Sequence, residues 1–305
     1  MDIAALNECF GLPGVLAFEE SDGLRRAVVT TPAASATVYL QGAHLTHWQP
    51  AGEEPVLFLS RKSAFQEGKA IRGGVPVIFP WFGDRHDGQA GPAHGFARTE
   101  EWDFAFAALA GDDLHLTLTL APSDATRALG FDRFRVAYKL TIGRTLGMQL
   151  TVANGAETPL VFEEALHTYF AVTDVRQAAI RGLGDGEYLD KRDLDADGSA
   201  RRKVQSAEPL QLAGTTDRVY LDSVSSCVIE DQGGGRRITV EKSDSRTTIV
   251  WNPWAELTAK MADMEPEGWQ GMLCVESANA GANALTLAPG SMHTMRAQVT
   301  VERAG

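Results

Sequence analysis

A carboxylate at the end of a strongly apolar run is the first residue in this chain with a claim to chemistry. Met272-Leu273-Cys274-Val275-Glu276-Ser277-Ala278-Asn279 places Glu276 where burial without a partner is expensive, so it must meet a cation or face a pocket. Desolvation there raises a carboxyl toward the working range of a general base. Leu166-His167-Thr168-Tyr169-Phe170 supplies a second titratable group, at the end of an apolar stretch that opens with Leu160. Strict alternation puts His167 and Tyr169 on one face, with Glu163 near its start. On this segment alone, His167 is more often a satisfied core histidine than a catalytic one.

Three further segments break the strand pattern. Ala70–Gly83 sets Arg72 before Gly73 and Gly74, then prolines and the aromatics Phe79, Trp81 and Phe82. It reads as a loop pinned over a cavity, with glycines for close backbone approach and an aromatic wall for a sugar ring, or as a rigid connector. Pro92–Arg98 puts His94 and Arg98 four residues apart beside Gly95. Val250-Trp251-Asn252-Pro253-Trp254 flanks a turn with two indoles, either a sugar platform or a packed corner.

Other chemistries lack support. The seven histidines and three cysteines show no zinc spacing; His44 and His47 merely lie three apart in a strand-like segment. There is no Walker loop, dinucleotide fingerprint or Gly-x-Ser-x-Gly elbow, so neither a cofactor nor a metal is expected. The formal charge of −12 disfavours nucleic acid, and it disfavours a phosphorylated substrate unless arginines gather locally. Cys9, Cys227 and Cys274 read as buried thiols of a reducing compartment. With no signal-like start and no long apolar run, a cytoplasmic protein without membrane contact is expected.

The elements that must hold these residues are strands. Leu114–Leu120, Phe134–Ile142, Leu146–Val152, Ile238–Val240, Thr248–Trp251 and Thr294–Val301 alternate with period two. Gly143–Thr145, Asn154-Gly155 and Gly233–Gly235 read as turns. Helices are expected only over Ser123–Leu129 and Glu256–Met264. Gly182–Ala200, polar and Asp-rich, reads as a surface excursion. Without a linker or repeat, residues 1–305 read as one all-β antiparallel sandwich domain.

Six motifs now fall in one order: Arg72-Gly73-Gly74-Val75-Pro76, His94-Gly95-Phe96-Ala97-Arg98, His167-Thr168-Tyr169-Phe170, Thr216-Asp217-Arg218-Val219-Tyr220, Trp251-Asn252-Pro253-Trp254 and Cys274-Val275-Glu276. With Gln41-Gly42-Ala43-His44-Leu45 before them, they make the chain similar to the glucose-6-phosphate 1-epimerase branch of the aldose 1-epimerase superfamily over residues 35 to 300. The resemblance implies a galactose mutarotase-like β-supersandwich and anomer exchange of a hexose 6-phosphate, without a cofactor. It makes His167 the general acid and Glu276 the general base. It sets Arg72, Arg98, Asp217 and His94 at the substrate; Trp81 and Trp254, read from their own segments, are expected as aromatic contacts. Two departures stand out: Ala93 replaces a glutamine found in some members, and Ser277-Ala278 follows the base.

Arg72 and Arg98 are expected to grip the phosphate, with Lys69 or Arg85 adding field. The competing readings are an epimerase of unphosphorylated aldoses and a noncatalytic carbohydrate-binding β-sandwich. A monomer is expected, since nothing in the sequence demands a partner chain.

Overall fold

The computed structural model describes residues 1–304. Antiparallel sheets dominate, as the alternation requires. The largest has nine strands in the order Leu210–Gln211, Ala178–Arg181, Cys227–Asp231, Arg236–Ser243, Met292–Arg303, Leu146–Asn154, Phe134–Ile142, Asp113–Leu120 and Asp103–Ala110. Its inner face carries every second side chain: Phe134, Val136, Tyr138, Leu140 and Ile142 are all buried along one strand.

An eight-stranded sheet positions the candidate site. Its order is Ala200–Val204, Glu187–Leu194, Thr216–Tyr220, Thr247–Asn252, Met272–Asn279, Glu164–Leu166 and Val77–Ile78, with Tyr169–Ala171 also pairing to Met272–Asn279. All eight residues of Met272–Asn279 are buried. Leu273 and Val275 enter the main core, whereas Met272 and Cys274 face the other way. A strand covered on both faces reads as a continuous apolar run. That is why Glu276 stood out within it.

The predicted turns and the Ser123–Leu129 helix are present, the latter as Asp124–Ala128 capped by Ser123. Three expectations need correction. A helix over Ile3–Phe10, capped by Asp2, packs Leu6 into the core; its single buried residue gave no helical stripe to read. The helix placed over Glu256–Met264 spans Trp254–Thr258 instead. Asn252 Oδ1 accepts the Trp254 N–H at 2.8 Å and starts it early, and Thr258 Oγ1 back-bonds the Trp254 carbonyl at its end. Cys9 is exposed, since it lies on the outer side of that first helix. No helix among the described residues is long and apolar enough to cross a membrane.

A polar clasp joins the two large sheets. Glu164 is fully buried, and its Oε1 accepts from Asn279 Nδ2 at 2.9 Å and lies 3.0 Å from His293 Nε2. Burial pushes the Glu164 carboxyl up, and the hydrogen bond to Glu164 raises His293 above 6.5. Both shifts mean that the folded chain holds protons more tightly than the unfolded chain. The His293 contribution is therefore complete below pH 6.5 and is lost as pH rises through its higher folded value. The thermal midpoint is expected to fall as pH is raised from 6.5, and His293→Gln should flatten that limb. A midpoint with the same slope in both proteins would exclude the clasp as its source.

Candidate active site

One row of the eight-stranded sheet collects most of the candidates. Asp217 pairs with Trp251, Trp251 with Cys274, and Cys274 with Tyr169. Directly opposed residues share a face, and Glu276, two residues beyond Cys274, shares it too. His167 lies just off the row, in the link between Glu164–Leu166 and Tyr169–Ala171. Its N–H donates to the Pro76 carbonyl at 3.0 Å, and the Tyr169 N–H donates to the Gly74 carbonyl at 2.9 Å. The strand break leaves both rings on one side. His167 stacks on Tyr169 at 4.8 Å and 9°, has Phe82 on its far side at 6.5 Å, and meets the edge of Trp251 at 6.1 Å.

His167 Nδ1 lies 3.4 Å from Glu276 Oε1, too poorly aligned for a hydrogen bond, and neither carboxyl oxygen of Glu276 has another protein partner. Both groups are buried. Burial holds His167 well below its ordinary value, helped by His94, Arg98 and Arg72. Burial also holds Glu276 well above the usual carboxylate range, helped by Asp217 and opposed by Lys191. Each group is thus driven toward its neutral form, and together they hold one proton.

The Arg72 loop is pinned from beneath. Gly73 and Gly74 have φ of 114° and 60°, and a Cβ on Gly74 would fall 2.3 Å from the Leu45 carbonyl oxygen. Buried His44, pushed down to about 4 by desolvation, donates from Nε2 to the Gly73 carbonyl at 2.7 Å. The Gln41–Leu45 motif is therefore a support for this loop. Arg72 donates to Asp263 Oδ2 from Nε at 3.0 Å and to the Tyr169 hydroxyl from Nη1 at 2.9 Å. Arg98 donates from Nη2 to the Ala93 carbonyl at 2.7 Å, while its Nε has no partner. His94, at φ 64°, sits 5.6 Å from His167 and is pushed down to about 3 by burial and by Arg98, Lys191 and Arg72. Asp217 has no hydrogen-bond partner among the described residues, and burial raises its carboxyl.

His167, Glu276, Arg72, Arg98, His94 and Asp217 therefore form one cluster. Trp81 and Trp254 lie outside it. Trp81 is a core residue whose Nε1 donates to the Pro92 carbonyl at 2.9 Å and whose ring packs on Phe96 and Phe131. Trp254 packs on Trp269 at 4.4 Å. The indole that reaches His167 is Trp251, because its position in the register is level with Cys274. Arg85 is also turned away, paired with Asp87 and lying over Trp81. Phe82 and Trp251, both named from the sequence as possible sugar contacts, wall the cluster together with Tyr169; the contributor the sequence did not mark is Lys191, whose Nζ lies 5.1 Å above the Phe82 ring. Lys191 belongs to the polar, Asp-rich stretch Gly182–Ala200, whose composition reads as ordinary surface.

Donor atoms of His167, Cys274 and Glu276 lie within 4.8 Å of one another, a spacing that an ion could bridge. Burial raises both the Cys274 thiol and the Glu276 carboxyl, which opposes the deprotonation each needs to serve as a ligand.

Comparison with known proteins places this geometry. The aldose 1-epimerase family profile matches residues 25–300. An Escherichia coli K12 protein carrying the provisional name glucose-6-phosphate 1-epimerase is 38% identical over 266 residues, 87% of each chain. The crystal structure of a provisionally named mutarotase of Salmonella typhimurium has 32% identity and a TM-score of 0.87, covering 98% of this chain and 99% of that one. A galactose mutarotase-like protein of Clostridium acetobutylicum shares the fold, with a TM-score of 0.74 at 12% identity over 94% of this chain and 98% of that one.

Proposed function

This chain belongs to the aldose 1-epimerase family, and on that premise we propose that it interconverts the α and β anomers of a hexose 6-phosphate, glucose 6-phosphate foremost. The observation that carries this reading is the buried contact of 3.4 Å between His167 Nδ1 and Glu276 Oε1. Anomer exchange removes a proton from the C1 hydroxyl, delivers one to the ring oxygen, rotates the C1–C2 bond of the open aldehyde and recloses the ring. One base and one acid perform it without a redox step.

Glu276 is the base and His167 the acid. The unpartnered oxygens of Glu276 favour a carboxylate once sugar hydroxyls donate to them. A phosphate dianion nearby favours imidazolium at His167. Substrate thus draws the pair's one proton from Glu276 to His167 once binding brings Oε1 and Nδ1 into line, with none taken from solvent. Glu276 then accepts the O1 proton. His167, with Nδ1 turned to Glu276, donates from Nε2 to the ring oxygen. The roles reverse on reclosure. Asp217 and His94 hold sugar hydroxyls, and Arg98 and Arg72 face the phosphate.

The pair must hold one proton to work. Gain of a second is opposed by the lowering of His167, and loss of the one is opposed by the raising of Glu276. The profile of kcat/KM against pH is expected to be a broad plateau, its acid limb well below 6.5 and its alkaline limb well above 4.5. An acid limb at or above 6.5, or an alkaline limb at or below 4.5, would contradict it. The substrate reading is tested by exchange NMR on equilibrated anomers. Faster exchange is expected with glucose 6-phosphate than with glucose, and Arg98→Ala should erase the preference. Equal acceleration of both sugars by the wild type would point to unphosphorylated aldoses, and no acceleration to a binding module.

A further inference from the structure

The phosphate reading leaves a charge deficit at the site. Arg72 is committed to Asp263 at 2.9 Å, so this pair brings little net positive charge. Arg98 is the only one of the two arginines without a carboxylate partner. A dianion bound in a chain of charge −12 calls for a second unneutralised cation.

We propose that Lys191 is that cation, closing over the phosphorylated sugar from the hairpin Glu187–Leu194/Ala200–Val204. The register carries it there. Tyr188, Leu189 and Asp190 pair with Tyr220, Val219 and Arg218, so the next step sets Lys191 level with Asp217. It extends the row Asp217, Trp251, Cys274 and Tyr169 by one strand. On its other side the ladder is irregular between Asp190 and Leu194, and a bulge of this kind re-aims a side chain. The Lys191 ammonium lies over Phe82, the ring that flanks His167 and meets His94 edge-on at 4.7 Å. The acidic residues of its own strand are already taken, and Asp217, level with it, forms no ion pair with it. Asp190 and Asp193 both pair with Lys203 at 2.8 Å, and Asp193 also pairs with Arg201. Lys191 itself has no hydrogen bond or ion pair among the described residues, and its side chain is exposed at the mouth. A flexible ammonium on a projecting hairpin suits an anion that arrives from solvent.

This assignment rests on the hexose-phosphate reading, and the experiment separates the two. Lys191→Gln and Lys191→Arg are assayed by exchange NMR with glucose 6-phosphate and with glucose, and inorganic phosphate is titrated as a competitive inhibitor. In Lys191→Gln the ratio of kcat/KM for glucose 6-phosphate to that for glucose should fall by about tenfold or more, through KM, as loss of a charge-assisted contact implies. Inhibition by inorganic phosphate should weaken in parallel, and Lys191→Arg should restore both. A wild-type preference that survives Lys191→Gln overturns the assignment alone. So does an equal loss on both sugars, which would make Lys191 a hydroxyl contact or a prop for Phe82. A wild type with no preference for glucose 6-phosphate removes the substrate reading and the assignment together.

Discussion

Glu276→Gln is expected to lower kcat for anomer exchange by about 10²- to 10⁴-fold, the span that a positioned general base contributes. The substitution keeps the volume of the side chain and removes only its capacity to take a proton. Glu276 is 1% exposed, and its oxygens have no hydrogen-bond partner in the protein. No native contact is therefore lost, and the thermal midpoint should hold or rise. His167→Asn should cause a loss of similar size, and the double variant little more, because two groups that exchange one proton fail as a unit. Exchange NMR for rate and calorimetry for the midpoint check both points. A Glu276→Gln enzyme retaining a tenth of the wild-type rate would take the base away from this position.

Arg236→Met is expected to cost about 3–5 kcal/mol of stability, the penalty for leaving a buried charge uncompensated. Asp231 and Arg236 have side chains 1% and 8% exposed and lie 3.3 Å apart. Asp231 also accepts from the backbone of Thr173 and Gly234. Arg236 donates to the carbonyls of Pro55 and Ala171 at 3.1 and 2.7 Å. One guanidinium thus ties the nine-stranded sheet to the strand that carries Tyr169 and to the segment before Val56. The methionine fills the volume but strands Asp231 and the carbonyls of Glu54, Pro55 and Ala171. Urea unfolding measures the loss, and Asp231→Asn should reproduce much of it. A change under about 1 kcal/mol would show that water replaces these contacts.

The two buried charge systems were unequally visible along the chain. Glu276 announced itself because a carboxylate inside an eight-residue apolar strand contradicts its surroundings. Arg236 did not, since it follows Gly233–Gly235 and precedes an alternating strand, where an arginine is ordinarily solvated. Its burial comes from the loop around Glu54 and Pro55, which lies far off in sequence.

Six alternating strands, the hairpin turns at Gly143–Thr145 and Gly233–Gly235, the family pattern and the chemical character of six site residues are legible along the chain. Those features are local: alternation, turn chemistry and polar residues out of keeping with their neighbours are read within a few positions. Which side chains meet is set by the folded arrangement alone. Trp251 rather than Trp81 or Trp254 faces His167, because register with Cys274 selects it. Arg72 is neutralised by Asp263, 191 positions away. Lys191 reaches the site from a stretch that reads as ordinary surface, because its strand pairs with Thr216–Tyr220 up to Asp190 and Arg218, one residue short of Lys191 and Asp217. Each of these turns on cross-strand register and on long-range pairing. Such pairings join residues that carry no mark of one another in the chain, and a shift of one residue in register would turn each side chain to the opposite face.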